Sequence, residues 1–311
     1  MRENMHDNFR LLEARVIDTL EKTDLERIRE ELIKIRGPVI CTGVGGSSVV
    51  SEYASKVLNQ KNGIVTDSLE MRDLNYKNLD GYSSVLACSY SGNNYGVETA
   101  FRNELDKYLL STGEIPGVHN LTYRSGFHKE DSFISLGATL MPMSILLSYY
   151  LDGNIELIKE ILNNSRDFDI DKECVYEIMS GYESSSASKY MESTMTESGI
   201  SIPVVHDKYS YCHGRSTMSH HNDHSLIMFN SGNELDQLLL DILGEYYKKI
   251  ICVDGKYNDP VIDDFYYTYM MMLLSKKIAE VSDNDLSRVK YSPVTKVLYK
   301  YKGNMYICVN G

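Results

Sequence analysis

The stretch Val39-Ile-Cys-Thr-Gly-Val-Gly-Gly-Ser-Ser48 decides the fold class. Its first four residues form a short apolar run that is typical of a buried strand, and a glycine-rich turn follows directly. Behind the turn, Val49, Tyr53 and Val57 recur at helical spacing. A strand that leads through a glycine turn into a helix is the first half of a βαβ unit, so the stretch predicts a parallel sheet.

A second strand–turn–helix pattern follows, and it carries a polar loop. Ser84-Val-Leu-Ala-Cys88 predicts another buried strand, and Ser89-Tyr-Ser-Gly-Asn-Asn94 leads into a helix predicted over 95–110. We call residues 43–48 the glycine turn and residues 89–94 the serine loop. Further strands are predicted at 63–66, 118–122 and 133–136, with a closing helix at 142–151.

The same order recurs in the second half of the chain, which indicates a weak internal duplication. Cys174-Val-Tyr-Glu-Ile-Met179 predicts a strand, Ser180-Gly-Tyr182 a turn, and residues 185–198 a helix. Later strands are predicted at 202–205, 225–229 and 250–253, alternating with helices at 234–247 and 263–281.

These patterns predict an α/β protein with two doubly wound, mostly parallel-sheet domains. The predicted units are N-terminal helices at 1–36, a first domain at 37–152, a second domain at 172–284, and a tail with a terminal hairpin at 285–311. The N-terminal segment reads as two helices that are broken at Lys22-Thr-Asp24.

Composition excludes several classes of protein. Hydrophobic residues make up 42% of the chain and charged residues 24%, which is a globular balance. A formal net charge of −12 would repel a phosphate backbone, so we expect no nucleic-acid partner. No apolar run is long enough for a membrane span or a signal peptide, so we expect no membrane partner. The scattered cysteines, without a CxxC pair, favour a reducing, cytoplasmic location.

Both loops suit an anionic ligand. Small residues let backbone amides approach a ligand, and the hydroxyls of Ser89 and Ser91 add donors. Two plainer interpretations remain open: a tight turn at 43–48, and a helix cap supplied by Ser91 or Asn94. The glycine turn also nearly matches a dinucleotide fingerprint, but Ser48 replaces the third glycine and only Asp67 lies near the end of the next predicted strand.

A Gly-x-Gly-Gly-Ser turn followed by a Ser-x-Ser-Gly loop resembles the sugar isomerase (SIS) domain family, whose Rossmann-like domains hold a sugar phosphate between these loops. The resemblance covers most of residues 37–298. It implies phosphate contacts from Ser47, Ser89, Ser91 and Asn94, where Asn94 replaces the threonine of members like glucosamine-6-phosphate synthase. The remaining loop residues would complete the substrate site: Gly45, Gly46, Ser48, Gly92 and Asn93. The resemblance implies neither a cofactor nor a metal.

The second half adds to the resemblance. Tyr211-Cys-His-Gly-Arg215 resembles the Lys-His-Gly-Pro motif of the synthase's isomerase unit, which implies that His213 helps open the sugar ring. The family spacing back from His213 lands on Glu197, which would move a proton between C1 and C2. The tail resembles that unit's tail, with Lys290 as the matching lysine. Arg215 replaces proline, and Thr194 stands where a helical lysine is expected; Arg215 would clamp a second anionic group or form a surface salt bridge.

Three functions follow from these residues. The leading one is an aldose–ketose sugar-phosphate isomerase or deaminase-isomerase that works by enediol proton transfer. The second is a non-catalytic sugar-phosphate sensor. The third is a metal-dependent hydrolase that uses the histidine-rich segment with His220, His221 and His224. The resemblance further implies a homodimer or higher homo-oligomer whose active sites draw residues from two subunits.

Overall fold

The computed structural model describes residues 4–173, 175–220 and 224–290, and within them the chain forms nine strands and ten α-helices. The strands are β1 Val39–Gly43, β2 Thr66–Glu70, β3 Ser84–Cys88, β4 Asp106–Ser111, β5 His119–Thr122, β6 Val175–Ser180, β7 Ile202–Asp207, β8 Ser225–Asn230 and β9 Lys249–Asp254. The helices are α1 Met5–Lys22, α2 Leu25–Lys34, α3 Gly46–Asn62, α4 Tyr95–Ala100, α5 Gly137–Tyr150, α6 Glu156–Leu162, α7 Ser185–Ser198, α8 Lys208–Cys212, α9 Glu234–Leu243 and α10 Pro260–Val281.

The strands form two parallel sheets. The first has the order β2-β1-β3-β4-β5 and the second β7-β6-β8-β9. β1 and β3 are buried along their whole length, which is why both read as unbroken apolar runs. In each sheet the first strand of the chain lies between the next two. The connection that follows β1 or β6 therefore runs to one side of the sheet, and the connection that follows its neighbour β3 or β8 runs to the other. This is the topological switch point of a doubly wound sheet.

Four helices form the layer between the two sheets. α3 packs against α5 and α7, and α7 packs against α10. α5 and α10 are apolar on nearly all sides, as expected for helices with no solvent-facing side. One continuous hydrophobic core runs from Met5 to Leu286 and includes residues of both sheets. The model therefore shows two sheets on a shared core, and the division into two domains stays a prediction.

Most predicted elements are present. The break between α1 and α2 is confirmed, and the carboxylate of Asp24 caps α2 by accepting from the amide of Arg27 at 3.1 Å. The helix predicted over 95–110 is wrong beyond Ala100, because residues 106–111 pair with β3 as β4. The strand predicted at 133–136 is also wrong, and β2 lies three residues later than predicted.

Some predictions fall outside the described residues, namely those for Cys174, His221 and the tail with its hairpin after residue 290. Over the described part of the chain, every helix is too short or too polar to cross a bilayer.

Candidate active site

The glycine turn and the serine loop lie at the switch point of the first sheet. β1 and β3 are neighbouring parallel strands, with Thr42 opposite Ala87, so the segments that follow them leave the same edge of the sheet. The structure therefore brings the two predicted binding loops together. This edge is where open α/β sheets bind ligands.

The glycine turn needs its small residues, and it opens a helix that no side chain caps. A Cβ on Gly43 would lie 2.1 Å from the carbonyl oxygen of Ser47. Gly45 is the N-cap of α3 with φ +58°, and it makes no side-chain capping bond. The positive end of a seventeen-residue helix thus faces the sheet edge without an acidic partner of its own, which favours a bound anion.

The serine loop is held in shape by its own side chains. Ser89 Oγ accepts from the amide of Gly92 at 3.2 Å and from Asn94 Nδ2 at 2.8 Å. Asn94 Oδ1 accepts from the amide of Val97 at 3.0 Å, which confirms the predicted cap of α4. Ser91 is exposed and accepts from the amide of Asn93 at 3.4 Å. Both serine oxygens act as acceptors in these contacts, so their protons are left to donate to a ligand.

The start of α3 and the end of α7 line one small cleft. Its lining joins the glycine turn to the predicted base: Gly46, Val49, Ile134, Ser135, Tyr190, Ser193, Thr194 and Glu197. Glu197 is exposed, and its Oε1 accepts from Ser193 Oγ at 2.7 Å. Glu197 and Gly46 thus line the same cleft, at the start of the helix that follows β1.

Several residues of this cleft, Ser135 and Tyr190 among them, were not singled out from the sequence. A Cβ on Gly46 would lie 2.8 Å from the Cβ of Ser135, so that serine packs directly on the glycine turn. Tyr190 is buried, and its hydroxyl has no hydrogen-bond partner, although the hydroxyls of Thr194 and Ser275 lie close enough to affect its pKa. Burial raises the pKa of Tyr190, so the group stays a neutral hydroxyl.

His213 does not share the cleft with Glu197 in the described chain. Glu197 lies just before β7, whereas His213 ends the short helix α8 that follows β7. β7 has six residues, which span about 20 Å at ~3.3 Å per residue. His213 and Arg215 are both exposed beyond the far end of that strand.

The tail passes close to the cleft. The amides of Phe133 and Ile134 donate to the carbonyls of Ser287 and Leu286, each at 3.3 Å. Residues 133–134, which were predicted as a strand, therefore hydrogen-bond to the tail and not to a sheet. Lys290 follows three residues later and is exposed. The segment that precedes the tail lysine is therefore bonded to the loop that carries Ile134 and Ser135.

The alternative sites concern a metal ion and a dinucleotide. Among the described residues, no three His, Cys, Asp or Glu side chains are placed to hold a metal ion, and His221 of the histidine-rich segment lies outside those residues. For a dinucleotide, β2 ends on Glu70, so an acid does close the second strand, and the prediction that none does was wrong because of the shift in β2. That carboxylate is engaged, however, since it accepts from the backbone and Nε of Arg72 at 2.7 and 3.0 Å.

Comparison with known proteins identifies the fold alone. No family model matches the chain, and no curated protein matches its sequence. Among solved structures, tagatose-6-phosphate ketose/aldose isomerase from Escherichia coli is similar with a TM-score of 0.70 and 15% identity, over 93% of this chain and 96% of that one. The C-terminal domain of glucosamine-fructose-6-phosphate aminotransferase from Francisella tularensis has a TM-score of 0.65 and 12% identity, over 92% and 98%. Glucosamine-6-phosphate deaminase from Thermotoga maritima has a TM-score of 0.65 and 13% identity, over 89% and 98%. The chain thus has an α/β fold like that of phosphosugar isomerases and deaminases.

Proposed function

We propose that this chain binds a phosphorylated sugar at the first switch point and isomerises it between aldose and ketose forms, with or without loss of an amine. The observation that carries the proposal is the cleft shared by the uncapped start of α3 and Glu197. The serine loop would hold the phosphate through Ser89 and Ser91. The sugar would then extend toward Glu197 on α7.

The chemistry needs one group that moves a proton between adjacent carbons. Glu197 would take the proton from C2 of the open-chain aldose, leaving an enediol, and return it to C1 to give the ketose. Ring opening would fall to His213, and Lys290 would reach the site from the tail. One proton leaves C2 and one is added at C1, while another moves from O2 to O1, so the isomerisation needs neither a redox partner nor a cofactor. While Glu197 holds the proton, that proton can exchange with water. An amino sugar would give a C2 imine instead, which water hydrolyses to the ketose and ammonia.

The separation of Glu197 and His213 along β7 supports a site shared between two copies of the chain. A second copy would supply His213 to the cleft that holds Glu197, and symmetry would make two such sites. We also propose that each sheet marks one sugar isomerase-type domain and that the protein works in the cytoplasm. The four cysteines among the described residues are unpaired, which suits a reducing compartment.

A non-catalytic sensor is the second candidate. Thr194 replaces the expected lysine and is buried, and the lining of the cleft includes no Lys or Arg. A site that has lost part of its enediol machinery would still bind the phosphate.

Exchange of the C2 proton separates these functions. The protein is incubated in deuterated water with glucose 6-phosphate, glucosamine 6-phosphate, fructose 6-phosphate and tagatose 6-phosphate. NMR follows loss of the C2 proton signal of the two aldoses and of a C1 proton signal of the two ketoses. Exchange with any of them supports the isomerase. Tight binding without exchange supports the sensor, and chelator-sensitive hydrolysis would instead support a metal-dependent hydrolase.

A further inference from the structure

The proposed phosphate site is built from neutral donors. The serine loop supplies hydroxyls, the glycine turn supplies backbone amides, and neither segment contains Lys or Arg. The chain as a whole carries a net charge of −12. A phosphate monoester carries about −1.5 to −2 charges near neutral pH, so a cation beside the loops would strengthen and steer its binding.

One cation lies beside the serine loop. Lys129 Nζ lies 5.5 Å from the ring centroid of Tyr90, and Tyr90 stands between Ser89 and Ser91. The tyrosine ring is half-buried against the main core. Its carbonyl accepts from the amide and the hydroxyl of Thr112 at 2.9 and 2.8 Å, so the residue is firmly held. A cation over an aromatic face is attracted by the ring, which keeps the ammonium near the loop.

The backbone around Lys129 is fixed on both sides. Arg15 Nη1 donates to the carbonyl of His128 at 3.0 Å. The carboxylate of Glu130 is buried and accepts three backbone N–H groups at the start of α5, at 2.8–3.1 Å. The acid next to Lys129 is therefore turned inward, while Lys129 itself is exposed.

The ammonium of Lys129 is not paired with a described carboxylate of the protein. Over residues 4–173, 175–220 and 224–290, no carboxylate forms an ion pair with Lys129, and its described side-chain contact is the Tyr90 ring. An ammonium has three N–H donors, so it can lie over the ring and still donate to a phosphate oxygen.

We propose that Lys129 is a phosphate-binding residue of this site, held over Tyr90 so that its ammonium neutralises the phosphate bound by the serine loop. The proposal rests on the proposed function, because it takes the serine loop as the phosphate site. It assigns Lys129 a role in selecting phosphorylated over unphosphorylated sugars, since a neutral sugar gains nothing from the added charge.

Calorimetric titration with fructose 6-phosphate and with inorganic phosphate tests the assignment. Lys129→Gln should weaken binding of both about tenfold, the size expected for a charged hydrogen bond at an exposed site. Lys129→Arg keeps the charge and should stay within about threefold of the wild type. Lys107→Gln is the matched control, because Lys107 lies near the start of β4, at the opposite edge of the same sheet, and should change nothing. The loss in Lys129→Gln should shrink at high salt.

The outcomes distinguish this assignment from the proposed function. If Lys129→Gln binds both ligands as tightly as Lys107→Gln while the double variant Ser89→Ala, Ser91→Ala binds weakly, Lys129 has no role and the serine loop remains the site. If the wild type binds neither ligand, or if the serine variant and Lys129→Gln both bind normally, the phosphate site itself is wrong and the assignment goes with it.

Discussion

Each of the two sheets has a topological switch point with a helix starting beside it. At the second switch point a carboxylate of the protein accepts from the start of that helix, whereas no described carboxylate does so at the first. β1 and β6 each lie between the next two strands of their own sheet, and each leads through a turn into a central helix, α3 or α7. The start of α3 has no side-chain cap. The start of α7 instead meets Asp264 of α10, whose carboxylate accepts from the amides of Ser186 and Ala187 at 3.2 and 3.1 Å. Lys56 of α3 forms a buried ion pair with that carboxylate.

The second loops differ in the same way. Gly92 and Gly232 follow a serine in each loop and share a positive φ, +68° and +80°. Ser91 is exposed, but the amide and the hydroxyl of Ser231 both donate to Asp236, at 2.7 and 2.8 Å. Asp236 also pairs with Lys208 at 2.6 Å, deep under the loop.

On the proposed function, this difference separates a structural half from a binding half. In the second half, Asp264 and Asp236 accept the N–H groups at the switch point, and buried lysines balance their charge. An anion from solution would have to displace them. In the first half no described carboxylate accepts from the start of α3. The amides of Ser47 and Ser48 donate to the carbonyls of Val44 and Gly45 instead, at 3.2 and 2.8 Å.

The largest expected effect is on stability, at the second switch point. Asp264→Ala leaves Lys56 charged and buried without its partner, and should lower the free energy of unfolding by about 3–5 kcal/mol. Urea denaturation measures the change, with Asp241→Ala on the exposed face of α9 as the control. Replacing the pair by Lys56→Met with Asp264→Leu should recover part of the loss. Equal stability of Asp264→Ala and the control would mean that the carboxylate does not balance Lys56.

At the first switch point the largest effect is on catalysis. Glu197→Gln removes the proposed base but keeps its size, so C2 proton exchange should fall at least ~10²-fold while affinity for fructose 6-phosphate is unchanged. Glu192→Gln, on the same helix but away from this cleft, is the matched control. Turnover that survives in Glu197→Gln would leave that residue as a surface carboxylate.

The two serine loops offer a direct test of the comparison. Ser89→Ala with Ser91→Ala should weaken sugar-phosphate binding by about 1–3 kcal/mol, because two donors to a charged group are lost. Ser231→Ala is the equivalent change in the second half, and calorimetry should find its affinity unaltered. If Ser231→Ala weakens binding and the Ser89, Ser91 variant does not, the assignment of the two halves is reversed.

The local sequence pattern was enough to predict those elements of the fold that depend only on neighbouring residues. The limits of α7 were predicted at 185–198, and both loops were placed at strand ends, because glycine turns and apolar spacing are local signals. The register of β2 and the existence of β4 depend on pairing across the sheet, so short apolar runs left them ambiguous. Asp264 and Ser186 lie 78 residues apart, and Ser135 reaches the cleft only through packing. No spacing rule in one sequence reveals such contacts.

The smallest expected effect concerns a site shared between two copies of the chain. Glu197 precedes β7 and lies at the first-sheet cleft, whereas His213 follows β7 at the other edge of its sheet. If His213 serves the cleft of a second copy, subunits with Glu197→Gln and subunits with His213→Asn are each inactive, but a mixed dimer contains one intact site. After subunit exchange at equal concentrations, half of the dimers are mixed, so about a quarter of wild-type exchange activity should return. Light scattering establishes the dimer, and differently tagged subunits establish the exchange. A monomer, or mixed dimers without activity, would show that the two residues do not form a shared site.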